Sequence, residues 1–311
     1  MVSTSSISLD RFVFGPTVAV TAKTVMHFND LESSVDAIGV ADAAEVDGSP
    51  LSELFARIMT EDGNADDITE FAGRQCYKSW KHGRPNDEYI ANIIRDAHGS
   101  VMEHANIVFQ VTGVSRSLTH ELIRHRVGTA YSQESQRYVD MADMKFIVPP
   151  IILTKYVTFP DRPTDEELLA DDEFVEFAEA CMEALGRYSN FQAKLRTRLN
   201  RELEAAKIEL GEDSVEFIKR KTSVKKRANE AARAVLPNAS QTQLIFTTNI
   251  RALRHIVELR GSVHADLEIR RFAKCLLVAA RPHAPHSLDD LEISADAGDE
   301  HLRGILRRIK E

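Results

Sequence analysis

The densest group of chemically capable side chains in this 311-residue chain runs from Arg124 to Tyr138, with the sequence RHRVGTAYSQESQRY. Arginines, a histidine, serines and glutamines follow one another here with few apolar residues between them. Arginine presents a planar fork of N–H donors that matches phosphate oxygens, and serine hydroxyls can complete the shell around the anion. By composition alone the segment fits a phosphate site, and it fits a charged surface turn equally well.

A second basic group comprises Asn249, Arg251, His255, Arg260 and His264. Arg251 and His255 have i, i+4 spacing, as do Arg260 and His264, so each pair shares one face of a helix. Such a face can bind an anion. The residue types alone nevertheless favour a solvated basic surface, or histidines that are bonded to the backbone.

A third polar group, made of His98, Ser100, Glu103 and His104, stands just before a predicted strand. Two histidines and a glutamate raise the question of a metal site. The spacing differs from the HExxH pattern of zinc enzymes, and polar residues at such a junction more commonly form caps and turns. We therefore expect no bound metal.

Composition narrows the classes of protein. Hydrophobic residues make up 43% and charged residues 28% of the chain, as in ordinary globular proteins. The net charge of −9 argues against broad binding of nucleic acid, which depends on an excess of Lys and Arg. Basic residues nevertheless gather at Lys219–Arg233 and Arg251–Arg271, and a basic pocket in an acidic protein suits a small anionic ligand.

The cysteines and the apolar runs bear on where the protein works. Cys76, Cys181 and Cys275 are scattered and odd in number, which favours neither a disulfide framework nor a zinc site. No apolar stretch has the length of a membrane span, and the first residues lack the pattern of a signal peptide. These features predict a cytoplasmic protein that does not bind membranes.

The elements that must position the basic groups can be predicted from periodicity. Alternation over Asn106–Thr112 indicates a half-buried strand, and Ser115 can cap a helix that follows it. The buried side of this helix is predicted to hold Leu118, Leu122 and Ile123. The helix would deliver Arg124–Arg126 at its C-terminal end, where the helix dipole favours cations.

Further helices and one more strand follow from the same patterns. Apolar residues recur at helical spacing from Phe174 to Leu199, which indicates an unusually long amphipathic helix with a break near Gly186. A helix that contains Glu230 is predicted to end before Pro237. The remaining predicted elements are helices over residues 87–97, 250–260 and 263–281, a strand over 241–248, and strand-like alternation over 17–26.

No internal repeat or linker divides the chain, so we predict one domain with additions. Residues 1–60 are assigned to an N-terminal extension, residues 61–288 to the main domain, and residues 289–311 to an acidic, helical tail. Residues 151–225 would be an enlarged helical insertion within the main domain.

Five ordered motifs together resemble the flavin-dependent thymidylate synthase family across most of residues 70–281. The motifs are Glu103-His104, Arg124-His125-Arg126, Ser135-Gln136-Arg137-Tyr138, the Glu-x-x-Arg-x-x-Leu-Pro pattern at Glu230–Pro237, and the Leu-Arg-x-x-x-His-Ala pattern at Leu259–Ala265. The resemblance implies an α+β fold in which a mixed β-sheet is flanked by long helices. It also implies a homotetramer that binds FAD and a nucleotide where subunits meet.

The same resemblance assigns roles to individual residues. The FAD ligands would be Ser100, Arg124, His125, Arg126, Gln133, Asn249, Arg251 and His255. The nucleotide ligands would be Glu121, Leu122, Ile123, Arg124, Gln133, Glu134, Ser135, Gln136, Arg137, Arg233 and Arg260. Arg260 would be the catalytic residue, since the family assigns the corresponding arginine to ionisation of the base.

The implied reaction is methylation of dUMP at C5 to give dTMP. Methylenetetrahydrofolate would donate the one-carbon unit, and FAD that has been reduced by NADPH would supply the electrons. No enzyme cysteine adds to C6 in this family, which agrees with the scattered cysteines. Two alternatives stay open: a methylase of UMP in a nucleoside-antibiotic pathway, and a noncatalytic relative that binds a nucleotide or RNA.

Two departures from the family pattern bear on substrate choice. The residues Val127–Glu134 separate the Arg-His-Arg tripeptide from Ser135, one more than the family normally has, and Gly128 can absorb the extra residue in a bulge or tight turn. Gln133 stands where many relatives have a glutamate. We therefore expect the loop between the flavin and nucleotide contacts to have an altered shape.

Overall fold

The computed structural model describes residues 7–26, 53–54, 63–80, 83–155, 163–294 and 305–307 of the chain. The acidic segment Asp30–Asp47 lies outside these residues, as does most of the predicted N-terminal extension. Within the described residues, no helix is both long enough and apolar enough to cross a membrane.

Helices and strands occur throughout the described ranges. The helices are α1 (Ala65–Tyr77), α2 (Asn86–Arg95), α3 (Arg116–Leu122), α4 (Pro150–Leu153), α5 (Asp165–Leu169), α6 (Asp172–Leu210), α7 (Val215–Ala232), α8 (Ile250–Gly261) and α9 (Leu267–Ala280). The strands are β1 (Phe12–Val13), β2 (Thr17–Lys23), β3 (Asn106–Ser115), β4 (Thr129–Gln133), β5 (Phe146–Ile147), β6 (Gln241–Asn249), β7 (Leu291–Ile293) and β8 (Ile305–Arg307). The predicted α+β class is confirmed.

The largest sheet of the described chain has four strands in the order β2-β3-β6-β4. Along β3, Ile107, Phe109 and Val111 are fully buried and the residues between them are not, which confirms the predicted alternation. Phe246 of β6 stacks with Phe109, at 6.0 Å between ring centroids, and with Tyr131 of β4, at 5.3 Å. Aromatic side chains thus join neighbouring strands on one face of the sheet.

Helix α3 is the one that Ser115 was predicted to cap. Ser115 Oγ accepts the N–H of Leu118 at 3.0 Å, which confirms the cap. Leu118 and Leu122 are buried as predicted, but Ile123 is 46% exposed. The prediction for Ile123 is wrong because the helix ends at Leu122 and the next residues form a turn, while Thr119 takes the buried position instead.

Helix α6 contains 39 residues and runs through Gly186 without interruption, so the predicted break is wrong. Asp171 caps its start by accepting the N–H groups of Glu173 and Phe174 at 2.9 and 3.1 Å. A glycine inside a helix costs only about 1 kcal/mol relative to alanine, and the long apolar face, with Tyr188 fully buried, outweighs that cost.

The chain divides into two compact units, and the first comprises Met1–Gly15, Thr112–His120 and Gln133–Gln243. Its core includes Phe12, Phe146, Phe174, Leu185 and Tyr188. In this unit β1 pairs with β5 in parallel, and α6 packs along α7.

The second unit comprises Pro16–Val111, Glu121–Ser132 and Leu244–Glu311. Buried hydrophobic residues of this unit include Ile107, Phe109, Phe246, Ile256 and Phe272. Helices α8 and α9 pack against each other in it. The predicted division into an extension, a main domain and a tail remains a prediction.

The acidic segment 289–311 was predicted to be helical, and for its described residues this is wrong. Strands β7 and β8 form an antiparallel pair there, in which Leu291–Ile293 aligns with Ile305–Arg307. Just before β7, Asp290 forms a bidentate ion pair with Arg254 of α8, at 2.6 and 2.7 Å. The strand β8 reaches Gly261, where an added Cβ would lie only 2.5 Å from Ile305 Cδ1.

Candidate active site

The Arg-His-Arg tripeptide lies in a turn directly after α3. The carbonyls of Glu121 and Leu122 accept the N–H groups of Arg124 and His125, at 3.3 and 3.1 Å. Arg124 and Arg126 are exposed, whereas His125 is half-buried. Neither arginine forms an ion pair with any residue that the structure describes, so both guanidinium groups are available to an anionic ligand.

Arg260, the predicted catalytic residue, stands in the last turn of α8 with its guanidinium held by three contacts. Nε donates to Nε2 of His125 at 3.0 Å, Nη1 to the Glu121 carboxylate at 2.7 Å, and Nη2 to the Glu121 carbonyl at 3.0 Å. The Arg260 side chain is only 15% exposed. Since a guanidinium carries about five N–H donors, each Nη keeps one for a ligand after its contacts with the described residues.

His125 can accept this hydrogen bond because its ring is neutral. Burial, and then electrostatic repulsion by Arg260, His255 and Arg124, lowers the pKa of His125 to about 4. With Nε2 acting as the acceptor, the ring proton belongs on Nδ1. The His255 ring meets that of His125 edge-on, at 5.6 Å between centroids.

Gly128 confirms the prediction that it takes up a tight turn. Its φ is +71°, in the left-handed region, and an added Cβ would overlap the Asn249 side chain. The Asn249 N–H donates to the Gly128 carbonyl at 2.9 Å, and Asn249 Oδ1 caps α8 by accepting the Ala252 N–H at 2.8 Å. This turn is therefore fixed against the helix that carries Arg260.

Arg251 and Ser100, two further predicted FAD ligands, lie on neighbouring segments of the second unit. Ser100 is exposed in the 3-10 turn Gly99–Glu103, and a Cβ on Gly99 would lie 3.3 Å from Arg251 Nε. Glu103 accepts from Arg251 Nη1 at 2.5 Å. Arg251 is thus paired with a carboxylate, and its charge is less available to a ligand than the charges of Arg124 and Arg126.

In the first unit, Gln133 is fixed by two hydroxyl groups. Its Nε2 lies 3.0 Å from Thr119 Oγ1 and 3.2 Å from Thr242 Oγ1. Glu134 is held at the sheet edge, because its carboxylate accepts from Gln243 Nε2 at 2.9 Å. An amide at position 133 can donate to both threonine hydroxyl oxygens.

Ser135 and Arg137 lie in the turn after β4. The Ser135 carbonyl accepts the N–H groups of Tyr138 and Val139, and Ser135 Oγ accepts the N–H of Arg137 at 3.4 Å. Arg137 pairs with Glu230 of α7 at 3.2 Å, with both side chains about 40% exposed. Gln136, which lies between Ser135 and Arg137 in the sequence, is partly exposed. Arg233 directly follows α7.

Arg116 is a candidate ligand that was not among the predicted site residues. Its Nη2 donates to the Glu134 carbonyl at 2.6 Å, while its buried Nε has no partner among the described residues. The pKa of Arg116 is lowered, because burial and then the positive charge of Arg233 outweigh the opposing effect of Glu134. Arg116 and Arg233 therefore share a local positive potential. In the sequence, the i, i+4 spacing of Arg116 and His120 indicates that their side chains share one face of a helix.

Two of the three cysteines, Cys181 and Cys275, are poorly suited to act as nucleophiles, whereas Cys76 is exposed. Burial raises the pKa of Cys181 to about 12 and also raises that of Cys275, so neither forms a thiolate readily. No cluster of three or more His, Cys, Asp or Glu side chains that could hold a metal occurs in the described ranges.

Comparison with known proteins gives consistent matches. The family model described as thymidylate synthase complementing protein matches residues 57–286. A flavin-dependent thymidylate synthase of Mycobacterium sp. (strain JLS) is 42% identical over 230 residues, covering 73% of this chain and 80% of the relative. Another, from Mycolicibacterium vanbaalenii, is 43% identical over 239 residues, covering 75% and 81%.

Among solved structures, the fold resembles that of the UMP/dUMP methylase PolB from Streptomyces cacaoi, with a TM-score of 0.53. The match covers 90% of this chain and 94% of that chain at 17% sequence identity. Fold, site and sequence together define an enzyme of the methyltransferase class. The chain belongs to the flavin-dependent thymidylate synthase family, and the resemblance inferred from its motifs is confirmed.

Proposed function

We propose that this enzyme methylates dUMP at C5 to give dTMP, with methylenetetrahydrofolate as the one-carbon donor and NADPH as the reductant. The relatives named flavin-dependent thymidylate synthase support this choice of reaction. FAD, when bound, supplies the electrons that reduce the transferred one-carbon unit to a methyl group. We further propose a homotetramer that works in the cytoplasm and binds neither nucleic acid nor membranes.

The observation that carries the proposal is the fixed guanidinium of Arg260. Methylation at C5 requires the pyrimidine ring to become electron-rich, and negative charge then grows on the ring nitrogen and its neighbouring oxygens. A guanidinium that is already oriented, by His125 and Glu121, stabilises this charge without reorganisation. Its two remaining N–H donors suit adjacent acceptors on one planar base.

The residues of the second unit fit a flavin dinucleotide. Arg124 and Arg126 are exposed cations without a carboxylate partner among the described residues, which is what a pyrophosphate requires. The backbone of Gly128, in the turn that follows these arginines, lies in close contact with Asn249. We propose that these residues hold FAD together with Ser100, Arg251 and His255, and Gln133 stays a predicted FAD ligand.

The residues of the first unit fit a nucleotide phosphate. Ser135, Arg137, Arg233 and Arg116 supply hydroxyl and guanidinium donors, and the repulsion between Arg116 and Arg233 is relieved when an anion binds near both. We propose that Ser135 binds the nucleotide and is not a nucleophile, because none of its described hydrogen bonds joins it to a general base.

A direct assay tests the proposal and the choice of nucleotide. Purified protein is supplied with FAD, NADPH and methylenetetrahydrofolate, and methylated product is measured with dUMP and UMP in parallel. We expect yellow protein and faster formation of dTMP. Faster methylation of UMP would assign the ribonucleotide as the substrate, and a protein that never oxidises NADPH with any nucleotide would be a noncatalytic binder.

Arg260→Ala tests the role of the guanidinium. We expect nucleotide binding to persist while turnover falls by about 100-fold or more, as when one electrostatic donor to a transition state is removed. Arg187→Ala, which removes an exposed arginine of α6, is the control and should leave turnover unchanged. Equal turnover in the Arg260 and Arg187 variants would contradict the assignment.

A further inference from the structure

The segment that follows Arg137 is tied to the long helix α6 by hydrogen bonds to one carboxylate. Asp140 Oδ1 accepts from Gln192 Nε2 at 2.9 Å, and Asp140 Oδ2 accepts from Arg196 Nη2 at 2.7 Å. The Tyr188 hydroxyl lies 3.4 Å from Asp140 Oδ1. Three side chains on successive turns of α6 thus converge on one residue.

Helix α7 contributes to the same cluster through Asn229. Its Nδ2 donates to the Val139 carbonyl at 3.3 Å, and its Oδ1 lies 2.8 Å from Gln192 Nε2. The Met141 N–H donates to the Tyr188 hydroxyl at 3.2 Å. Three consecutive residues of the segment are therefore each bonded to a helix side chain.

The tyrosine and amide side chains of the cluster are buried, which makes its geometry specific, whereas the side chains of Asp140 and Arg196 are 29% and 35% exposed. Tyr188 and Asn229 are fully buried and Gln192 is 6% exposed. Buried amides are destabilising unless they are bonded, so any other placement of the segment would leave polar groups unsatisfied. Burial raises the pKa of Asp140, but hydrogen bonds from Gln192 and Arg196 lower it below its ordinary value, so the carboxylate stays ionised.

A neighbouring ion pair does not explain how the segment is held. Glu230, next to Asn229 on α7, pairs with Arg137, but their side chains are 45% and 39% exposed. Ion pairs with that exposure contribute about 0–1 kcal/mol. The buried hydrogen bonds of Tyr188, Gln192 and Asn229 therefore restrain the backbone after Arg137 in addition to that ion pair.

We propose that Asp140, Gln192 and Asn229 are positioning residues for nucleotide binding, through which helices α6 and α7 fix the turn that carries Ser135 and Arg137. This inference rests on the proposed function. It gives helix α6 a role in the reaction, because α6 supplies Gln192 and Arg196 to the cluster.

Gln192→Met tests the inference in the full chain, since methionine keeps the length of the side chain and loses its hydrogen bonds. Lys194→Met, two residues further along the exposed side of α6, is the matched control. We expect the KM for the nucleotide to rise about tenfold, the equivalent of one lost charged hydrogen bond, with kcat within about twofold. The control should match the wild type.

Hydrogen exchange provides a readout that needs no ligand. In the unliganded protein, amides of the peptide 135–141 should exchange about tenfold faster in Gln192→Met than in Lys194→Met. Unchanged exchange would overturn the inference. Faster exchange with an unchanged KM would also overturn it, since the cluster would then have a structural role only.

A double-mutant cycle separates positioning from a general loss of stability. The effects of Gln192→Met and Arg137→Ala on the KM should be non-additive if the cluster acts through Arg137, and additive effects would argue against it. If the wild type binds dUMP without converting it, the proposed function fails. The dissociation constant from calorimetry then replaces the KM in the same comparison.

Discussion

At the scale of single residues, the carboxylate of Glu121 controls the orientation of Arg260. Glu121→Gln keeps an oxygen near Nη1 but removes the charge from an ion pair of 2.7 Å. We expect kcat to fall by about tenfold, because hydrogen bonds to charged groups contribute about 1.5–3 kcal/mol and part of this interaction survives. Steady-state formation of dTMP measures the effect.

The control for this change is Glu209→Gln, on an exposed position of α6. It removes the same charge from the protein and should not alter kcat. If Glu121→Gln and Glu209→Gln have the same kcat, while both bind FAD, the orienting role of Glu121 is excluded.

His125 should make the stability of the protein depend on pH. Its pKa in the folded chain is about 4, below the ordinary value of about 6.5. Between these two values the unfolded chain binds a proton that the folded chain does not, so the free energy of unfolding falls as the pH falls. Urea titrations at pH 7 and pH 5 should show a smaller loss in His125→Gln than in the wild type.

His264→Gln serves as the comparison for the pH experiment because His264 is exposed. Its loss of stability between pH 7 and pH 5 should exceed that of His125→Gln. The reverse order would show that His125 is not the group that resists protonation.

The pairing of these residues marks a limit of sequence-based prediction. The types and spacing of Arg124, His125 and Arg260 were sufficient to select them as candidates. The contact of Arg260 with Glu121 spans 139 positions of the chain and depends on how α8 packs beside the turn after α3. No local pattern carries that information.

At the scale of elements, two glycines should respond oppositely to the same substitution. Gly128→Ala should lower the free energy of unfolding by about 1–3 kcal/mol, because it adds a Cβ at positive φ and against Asn249. Gly186→Ala should raise it by about 0.5–1 kcal/mol, since the helical position is open to solvent. Denaturant titrations of both variants test the pair, and stabilisation by Gly128→Ala would contradict the turn geometry.

The same two glycines show which parts of an element can be predicted. A bulge or tight turn was predicted at Gly128, and its positive φ is typical of a glycine in such a turn. At Gly186 the low helix propensity of glycine predicted a break. The helix is nevertheless continuous, because apolar side chains are buried along the length of α6. The bounds of β3 and β6 were predicted within a few residues because alternation of apolar side chains is a local signal.

At the scale of the whole molecule, a buried ion pair anchors the chain after α9 to α8. The side chains of Arg254 and Asp290 are each 9% exposed. Asp290→Ala should lower the free energy of unfolding by about 3–5 kcal/mol, because it leaves an uncompensated buried charge. Thermal and denaturant unfolding measure this loss.

The double variant Arg254→Met/Asp290→Leu tests the reason for that loss. It replaces the pair with apolar groups of similar volume, so its stability should lie closer to that of the wild type than to that of Asp290→Ala. A double variant as unstable as the single one would show that specific hydrogen bonds, and not a stranded charge, are responsible.

The contact of Ile305 with Gly261 has a practical consequence for anyone who engineers this enzyme. Gly261 directly follows Arg260, so β8 packs against the end of the helix that carries the Arg260 guanidinium. Truncation before Ile305, or proteolytic clipping there during purification, would remove that support and lower turnover without touching a ligand.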